Sequence, residues 1–178
     1  MRIFKRVLTI LAILLTIPLI VAIFIPKKYT VSVKQTINKP QAQVFDYVKI
    51  LNNQKYYSVW LLADPDLELT IVGQDGTLGA IQKWNSQVDD VGEGEQEIIG
   101  LTDTRIDLEI RFKRPFESKV KAANIIQPLT ENTTEITSEF YSESPYPLNL
   151  PSYLFGKKII TDAQIKNLAN LKKIVETN

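Results

Sequence analysis

The sequence predicts an α+β domain, an antiparallel sheet with covering helices, held behind a single N-terminal membrane-spanning helix. Three patterns point that way. Residues 7–25 form an unbroken uncharged run. Between residues 29 and 141, short stretches alternate apolar with polar side chains at period two, with Gly, Asn, Asp and Pro between them. From about residue 153 to 176, apolar residues recur at helical spacing. The expected division is an anchor over residues 1–28 and one domain over 29–178.

The run from Val7 to Ile25 includes Leu11 and Leu14 in its first half and Pro18 beyond its middle. About 19 residues at 1.5 Å each span about 28 Å, close to a hydrocarbon core. About fourteen strongly apolar residues contribute at most about −4 to −8 kcal/mol to insertion. Pro18 kinks a membrane helix without ending it. Arg2, Lys5 and Arg6 precede the run, which closes on Ile23-Phe24-Ile25-Pro26-Lys27-Lys28. That ending lacks the small-x-small pattern of a cleaved signal peptide, so the segment reads as an uncleaved anchor. Three basic side chains and the terminal amine lie before the span, and Lys27, Lys28, Lys34 and Lys39 after it, a near tie for the positive-inside rule. Moving the short basic tail outward would oppose the membrane potential, which places the domain outside the cytoplasm.

Tyr29, Val31, Val33 and Ile37 alternate with polar residues as a first strand. Asn38-Lys39-Pro40-Gln41 reads as a helix start, with Asn38 as cap, Pro40 in the first turn and Gln41 as capping-box partner. Val44, Phe45, Val48 and Leu51 share a helical face, and Asn52-Asn53 ends that helix. A short second helix is expected over 56–63, then a turn at Asp64-Pro65-Asp66. Strands follow over 67–72, 80–86, 93–101, 105–113, 119–127 and 133–141, with Asp75-Gly76 in the first turn and an acidic loop at 88–92. Residues 144–152 form a Pro-rich loop. The closing helix carries Ile160, Gln164, Leu168, Leu171 and Val175 along one side, a natural cover for the dry face of a sheet that is wet on the other.

This order resembles the helix-grip arrangement of the START/Bet v1-like superfamily, also called SRPBCC or polyketide-cyclase-like. The resemblance rests on Thr36-Ile37-Asn38-Lys39-Pro40 with Val44-Phe45, on Trp60 with Asp64-Pro65, and on Gly79-Ala80, Trp84-Asn85 and Gly92-Glu93-Gly94. Arg114-Pro115-Phe116, Tyr146-Pro147-Leu148-Asn149-Leu150 and Leu168-Ala169-Asn170-Leu171-Lys172 extend it to the C-terminus. It is strongest with membrane-anchored bacterial members of unassigned activity, which implies a bacterial cytoplasmic membrane. The resemblance also implies a curved sheet of about seven strands around the long helix, with a cavity between them. It implies no reaction.

Strand parity makes Trp84, Ile98, Ile106, Leu108, Ile110, Phe112, Val120 and Phe140 candidates for the cavity wall. Leu168 joins them from the helix, and Trp60 belongs at the mouth. A filled core needs the same inward apolar residues, so periodicity leaves hollow and filled interiors open. The acidic cluster Asp89, Asp90, Glu93, Glu95 and Glu97 offers oxygen ligands for a hard cation, but its spacing is not that of an EF-hand loop and suits a solvated hairpin. Arg105, Asp107, Glu109 and Arg111 alternate with apolar residues and belong to the wet face. Tyr56, Tyr57, Tyr141 and Tyr146 could offer hydroxyls to a cavity, or pack a ring and keep the hydroxyl wet.

The 178-residue chain has 21 Lys+Arg against 20 Asp+Glu, a net charge of +1 that gives no reason to propose nucleic acid. It has no Cys and no His, which excludes His- or Cys-ligated metals and the commonest nucleophile–base pairs. About 150 residues outside the span can bury a core without disulfides or metals. The expectation is a membrane-anchored binding module for a hydrophobic small molecule or lipid, with membrane lipids as partners of the anchor and no cofactor. A protein-interaction domain at the membrane is the alternative. An enzyme of cyclase-like or hydrolytic type would need a buried Asp, Glu, Tyr or Lys, and no inward carboxylate or catalytic constellation is evident.

Overall fold

A computed structural model describes residues 2–177; Met1, whose amine entered the charge count before the span, and Asn178 lie outside the described residues. An apolar helix α1 (Arg2–Phe24) leads into β1 (Lys28–Ile37). Next come α2 (Gln41–Val48), a 3₁₀ turn (Leu51–Tyr56), α3 (Val59–Leu62) and β2 (Thr70–Val72). Four long meander strands follow β3 (Ile81–Asn85): β4 (Glu93–Leu101), β5 (Arg105–Arg114), β6 (Ser118–Thr130) and β7 (Thr133–Glu143). A short turn α4 (Asn149–Pro151) and a π turn (Ser152–Gly156) run into the long α5 (Lys157–Thr177).

The seven strands form one antiparallel sheet in the order β1-β7-β6-β5-β4-β3-β2. The first and last strands thus meet: β1 pairs with β7 from Lys28 opposite Glu143 to Ile37 opposite Thr134. α5 crosses the inner face and buries Ala163, Leu168, Leu171 and Val175. This is the helix-grip fold.

Register divides the interior into two halves. At the end where β1 finishes, Ile37, Ile98, Ile106, Ile126 and Ile136 pack with Val44 and Val48 of α2 and with Leu171 and Val175 of α5. That end is filled. At the other end, where β1 begins beside α1, the inward residues are Tyr29, Phe112, Val120, Phe140 and Ser142, and the interior is open.

The outer face is wet and charged. Arg111 reaches Glu95, Glu97 and Glu109, each at 2.8 Å, and Lys119 reaches Glu109 at 2.8 Å. The hydrogen bond from Arg111 holds the Glu95 carboxyl below the usual carboxylate range. Lys119, then Arg111, lower that of Glu109, and Lys113, then Arg114, that of Glu93. The acidic stretch after residue 92 is therefore the outer face of β4, matched by cations on neighbouring strands.

Four local expectations change. Asn38 does not cap α2: its backbone N–H donates to Glu176 at 2.7 Å, and Pro40 stands at the N-cap without a side-chain bond. Gln41 donates to the Asp103 carbonyl rather than closing a capping box. The first helix stops at Val48 rather than at Asn52-Asn53, the helix expected over 56–63 shrinks to α3, and the 3₁₀ turn between them is capped from a distance by Asp75, which accepts from the N–H of Leu51 at 2.8 Å and of Asn52 at 3.0 Å. The strand expected from Leu67 begins only at Thr70, because β3 offers partners only to 70–72.

Candidate functional site

The open half encloses a cavity of about 520 Å³ between the sheet and α5. Its walls come from strand parity. Leu108, Ile110 and Phe112 project inward from β5, Val120 and Ala122 from β6, and Phe140 from β7. α5 supplies Ile160, Ala163, Gln164, Asn167 and Leu168. Eight of the ten residues read from the sequence as cavity candidates stand on this wall: Trp60, Trp84, Leu108, Ile110, Phe112, Val120, Phe140 and Leu168. Ile98 does not. It shows 0% exposure and packs in the filled half, as does Ile106, because both sit on strand positions covered by α2 and the C-terminal turns of α5.

Trp84 owes its position to a glycine. Gly94 lies opposite it on β4, and a Cβ there would come within 2.6 Å of the indole Cζ2 and 2.7 Å of the Arg111 carbonyl. Only glycine lets the indole lie against the strand. The ring then meets Phe112 edge-on, 6.0 Å between centroids at 75°, and its Nε1 donates to the Val91 carbonyl at 3.2 Å. Trp84 thereby ties the cavity wall to the β3–β4 loop at the mouth.

The inner end of the cavity is polar and uncharged. Gln96 Nε2 donates to Gln54 Oε1 at 2.7 Å and also to Gln82 Oε1. Gln82 Nε2 donates to the Leu51 carbonyl at 2.6 Å. All three glutamines line the cavity, as does Tyr57, whose phenol is pushed up by burial, then by Tyr47, and so stays protonated. Ser138 Oγ donates to Gln164 Oε1 at 3.0 Å, linking β7 to α5. The only carboxylates among the described lining residues are Asp90 and Glu143, both exposed at the rim, and Glu143 pairs with Lys28 at 3.1 Å. No ionised group therefore sits deep in the cavity.

These glutamines are not among the cavity residues expected from the sequence. Parity from Trp84 puts Gln82 inward, and parity from Ile98 puts Gln96 inward, so the signal was there. Of the tyrosines singled out, Tyr57 lines the cavity. Tyr141 lies on the outer face between Arg105 and Glu139, Tyr56 is exposed, and Tyr146 reaches α1. Tyr29, read only as a strand residue, stands at the mouth and donates to the Ser152 carbonyl at 3.0 Å.

The mouth is flanked by α3 on one side and the π turn on the other. α3 is held to α5 by two asparagines: the Val59 N–H donates to Asn167 Oδ1 at 2.7 Å, and Asn170 Nδ2 donates to the Tyr57 carbonyl at 3.2 Å. On the π-turn side, Asn149 is 1% exposed, and its Nδ2 donates to the carbonyls of Ala22 at 2.7 Å and Ile25 at 2.8 Å. Those are end-of-helix acceptors with no partner inside α1. α1 is, among the described residues, the one helix long and apolar enough to cross a membrane, and its Ala22 is buried against the domain.

By fold the chain is a helix-grip protein. Among solved structures it is similar to that of Ara h 8.0201, at 15% identity over 85% of this chain and 99% of that one, with a TM-score of 0.58. It is also similar to norcoclaurine synthase from Thalictrum flavum, determined in complex with dopamine and hydroxybenzaldehyde, at 12% identity, 83% and 86% coverage and a TM-score of 0.61. A Thermobifida fusca protein solved by NMR matches at 13% identity, 82% and 92% coverage and a TM-score of 0.62. No family model and no curated protein matches the chain. At these identities the likeness is one of fold.

Proposed function

We propose that the chain is a membrane-anchored binding module for an uncharged, largely apolar small molecule or lipid, held between the sheet and α5. The observation that carries this reading is the cavity of about 520 Å³, apolar along its walls and closed by a neutral amide cluster at its inner end. That volume lies within the range of about 300–1,000 Å³ of ligand sites. Burying an ionised ligand there without a counter-charge would be strongly unfavourable, so a neutral hydrogen-bonding end fits best. In this reading residues 1–28 are a retained anchor, its span over 7–25, and 29–178 the binding domain. The contacts of Asn149 with Ala22 and Ile25 support retention, because a signal segment removed after export has no use for a dedicated partner in the domain. The short basic N-terminal tail stays in the cytoplasm, and the domain faces the other side.

The test is native mass spectrometry of the full chain released from detergent micelles, followed by organic extraction. A discrete added mass that extraction removes is expected. Ala163→Trp, which fills the cavity from α5, should abolish it. An apo mass in repeated preparations, with no stabilisation by a panel of neutral lipids, would contradict the proposal.

A further inference from the structure

The segment that links β7 to α5, together with the first turn of α5, is more apolar on its outside than a water-facing turn needs to be. Leu148 is 61% exposed, Leu154 54%, Phe155 66% and Ile159 55%. On the helical path, Leu154, Phe155 and Ile159 lie on the side away from Ser152, Gly156 and Ile160, which face the cavity. They are not spare core residues turned outward at random. The α4 turn at the start of this stretch packs on the end of α1, where Ile23 and Phe24 are exposed as well.

The depth of this segment follows from its bonds to α1. Asn149 holds the carbonyls of Ala22 and Ile25, and Tyr146 Oη donates to the carbonyl of Leu19 at 3.3 Å. Leu19 lies five residues before Phe24, which at 1.5 Å per residue is about 7.5 Å below the end of the helix. A loop fastened alongside the last two turns of a membrane span lies at that depth itself. A depth of about 5–10 Å is where interfacial helices seat their apolar faces. Tyr146 is the residue type that occupies the headgroup level. Lys27, Lys28, Lys157 and Lys158 border the apolar group; Lys28 is paired with Glu143 and Lys158 with Asp162 at 2.6 Å. The far rim of the mouth carries Asp89 and Asp90, which do not suit an anionic surface, so the contact belongs to the near rim only.

We infer that Leu148, Leu154, Phe155 and Ile159 insert into the same bilayer that α1 spans, making the turn before α5 a second point of membrane attachment that holds the near rim of the cavity mouth at the headgroup level. This rests on the reading of α1 as a retained span. It adds that the cavity opens towards lipid rather than towards water.

The chain has no Cys, so single-cysteine variants label cleanly. Leu148→Cys, Phe155→Cys, Leu11→Cys and Leu129→Cys, each in the full chain, are labelled with an environment-sensitive fluorophore and reconstituted in phosphatidylcholine–phosphatidylglycerol vesicles with and without brominated lipid. Leu129 sits on the β6–β7 hairpin at the opposite end of the sheet and is 55% exposed, so it reports water. The expected result is blue-shifted emission, quenched by brominated lipid, at positions 11, 148 and 155, and neither effect at 129. Quenching at 11 with labels at 148 and 155 as wet as at 129 would overturn this inference alone. A wet label at 11 would overturn it together with the retained anchor.

Discussion

Isoleucines 98 and 110 offer a direct test of whether the interior is hollow where the geometry makes it so. Both face inward from neighbouring strands, but Ile98 is sealed in the packed half and Ile110 stands on the cavity wall. Ile→Ala removes three carbons, worth about 2.4 kcal/mol at about 0.8 kcal/mol per buried methylene. At Ile98 the hole is new and closed. A void of about 60–80 Å³ at about 24 cal/mol per Å³ adds about 1.5–2 kcal/mol, for about 4 kcal/mol in all. At Ile110 the side chain already borders open space, so no sealed void forms and only part of the transfer term is lost, about 1–1.5 kcal/mol. The gap of about 2.5–3 kcal/mol corresponds to about 5–12 °C in Tm for a chain of this size. Thermal and urea unfolding of the full chain in detergent, followed by near-UV circular dichroism, measures it. Equal losses for Ile98→Ala and Ile110→Ala would mean that the wall around Ile110 is packed, and the binding reading would fall with it.

Three further outcomes are expected. Gln96→Leu leaves Gln54 Oε1 and Gln82 Oε1 without their shared donor and should lower stability by about 1–3 kcal/mol in the same unfolding assay. The carboxyls of Glu93, Glu95 and Glu109 are lowered in the folded state, so the stability they contribute is present above their unfolded value of 4.5 and is lost as pH falls through the lower folded values. Tm should therefore hold level from pH 8 to about 5 and drop below it, and Arg111→Gln should shrink that drop; an unchanged acid limb in this variant would refute the assignment. Asn149→Ala frees the carbonyls of Ala22 and Ile25 and should speed tryptic cleavage at Lys27 and Lys28 while leaving the melting of the domain nearly unchanged.

Alternation carried most of the architecture. β4 spans the residues expected of it and β5 runs one residue further, because each has one dry and one wet face and a partner on both sides. What alternation cannot carry is pairing, and the misread positions all depend on pairing. Leu67 to Leu69 have strand-like composition but no partner. Asn38 has capping chemistry, yet its N–H is taken by Glu176 from the far end of the chain. Asp75 looked like a local turn residue and caps a helix 23 residues earlier instead. The division of the interior into filled and hollow halves was hidden for the same reason: Ile98 and Ile110 are equivalent in any one strand, and only the path of α2 and α5 over the sheet separates them. Asn149 gave no sign at all, since nothing near it in sequence reveals the carbonyls it meets.

The three residues between Phe24 and Lys28 set a limit on what such a module can do. Even fully extended they reach only about 10 Å, and Asn149 shortens that reach further. A soluble carrier works by leaving one membrane, diffusing through water and arriving at another. With α1 as the retained span proposed above, a domain fastened this closely to it would be confined to lateral diffusion and could not ferry cargo across a gap. Its encounters would be those of a two-dimensional search, with molecules in its own leaflet or with proteins that come to it. Handover at contact, or sensing of local membrane composition, is the kind of work left open to it.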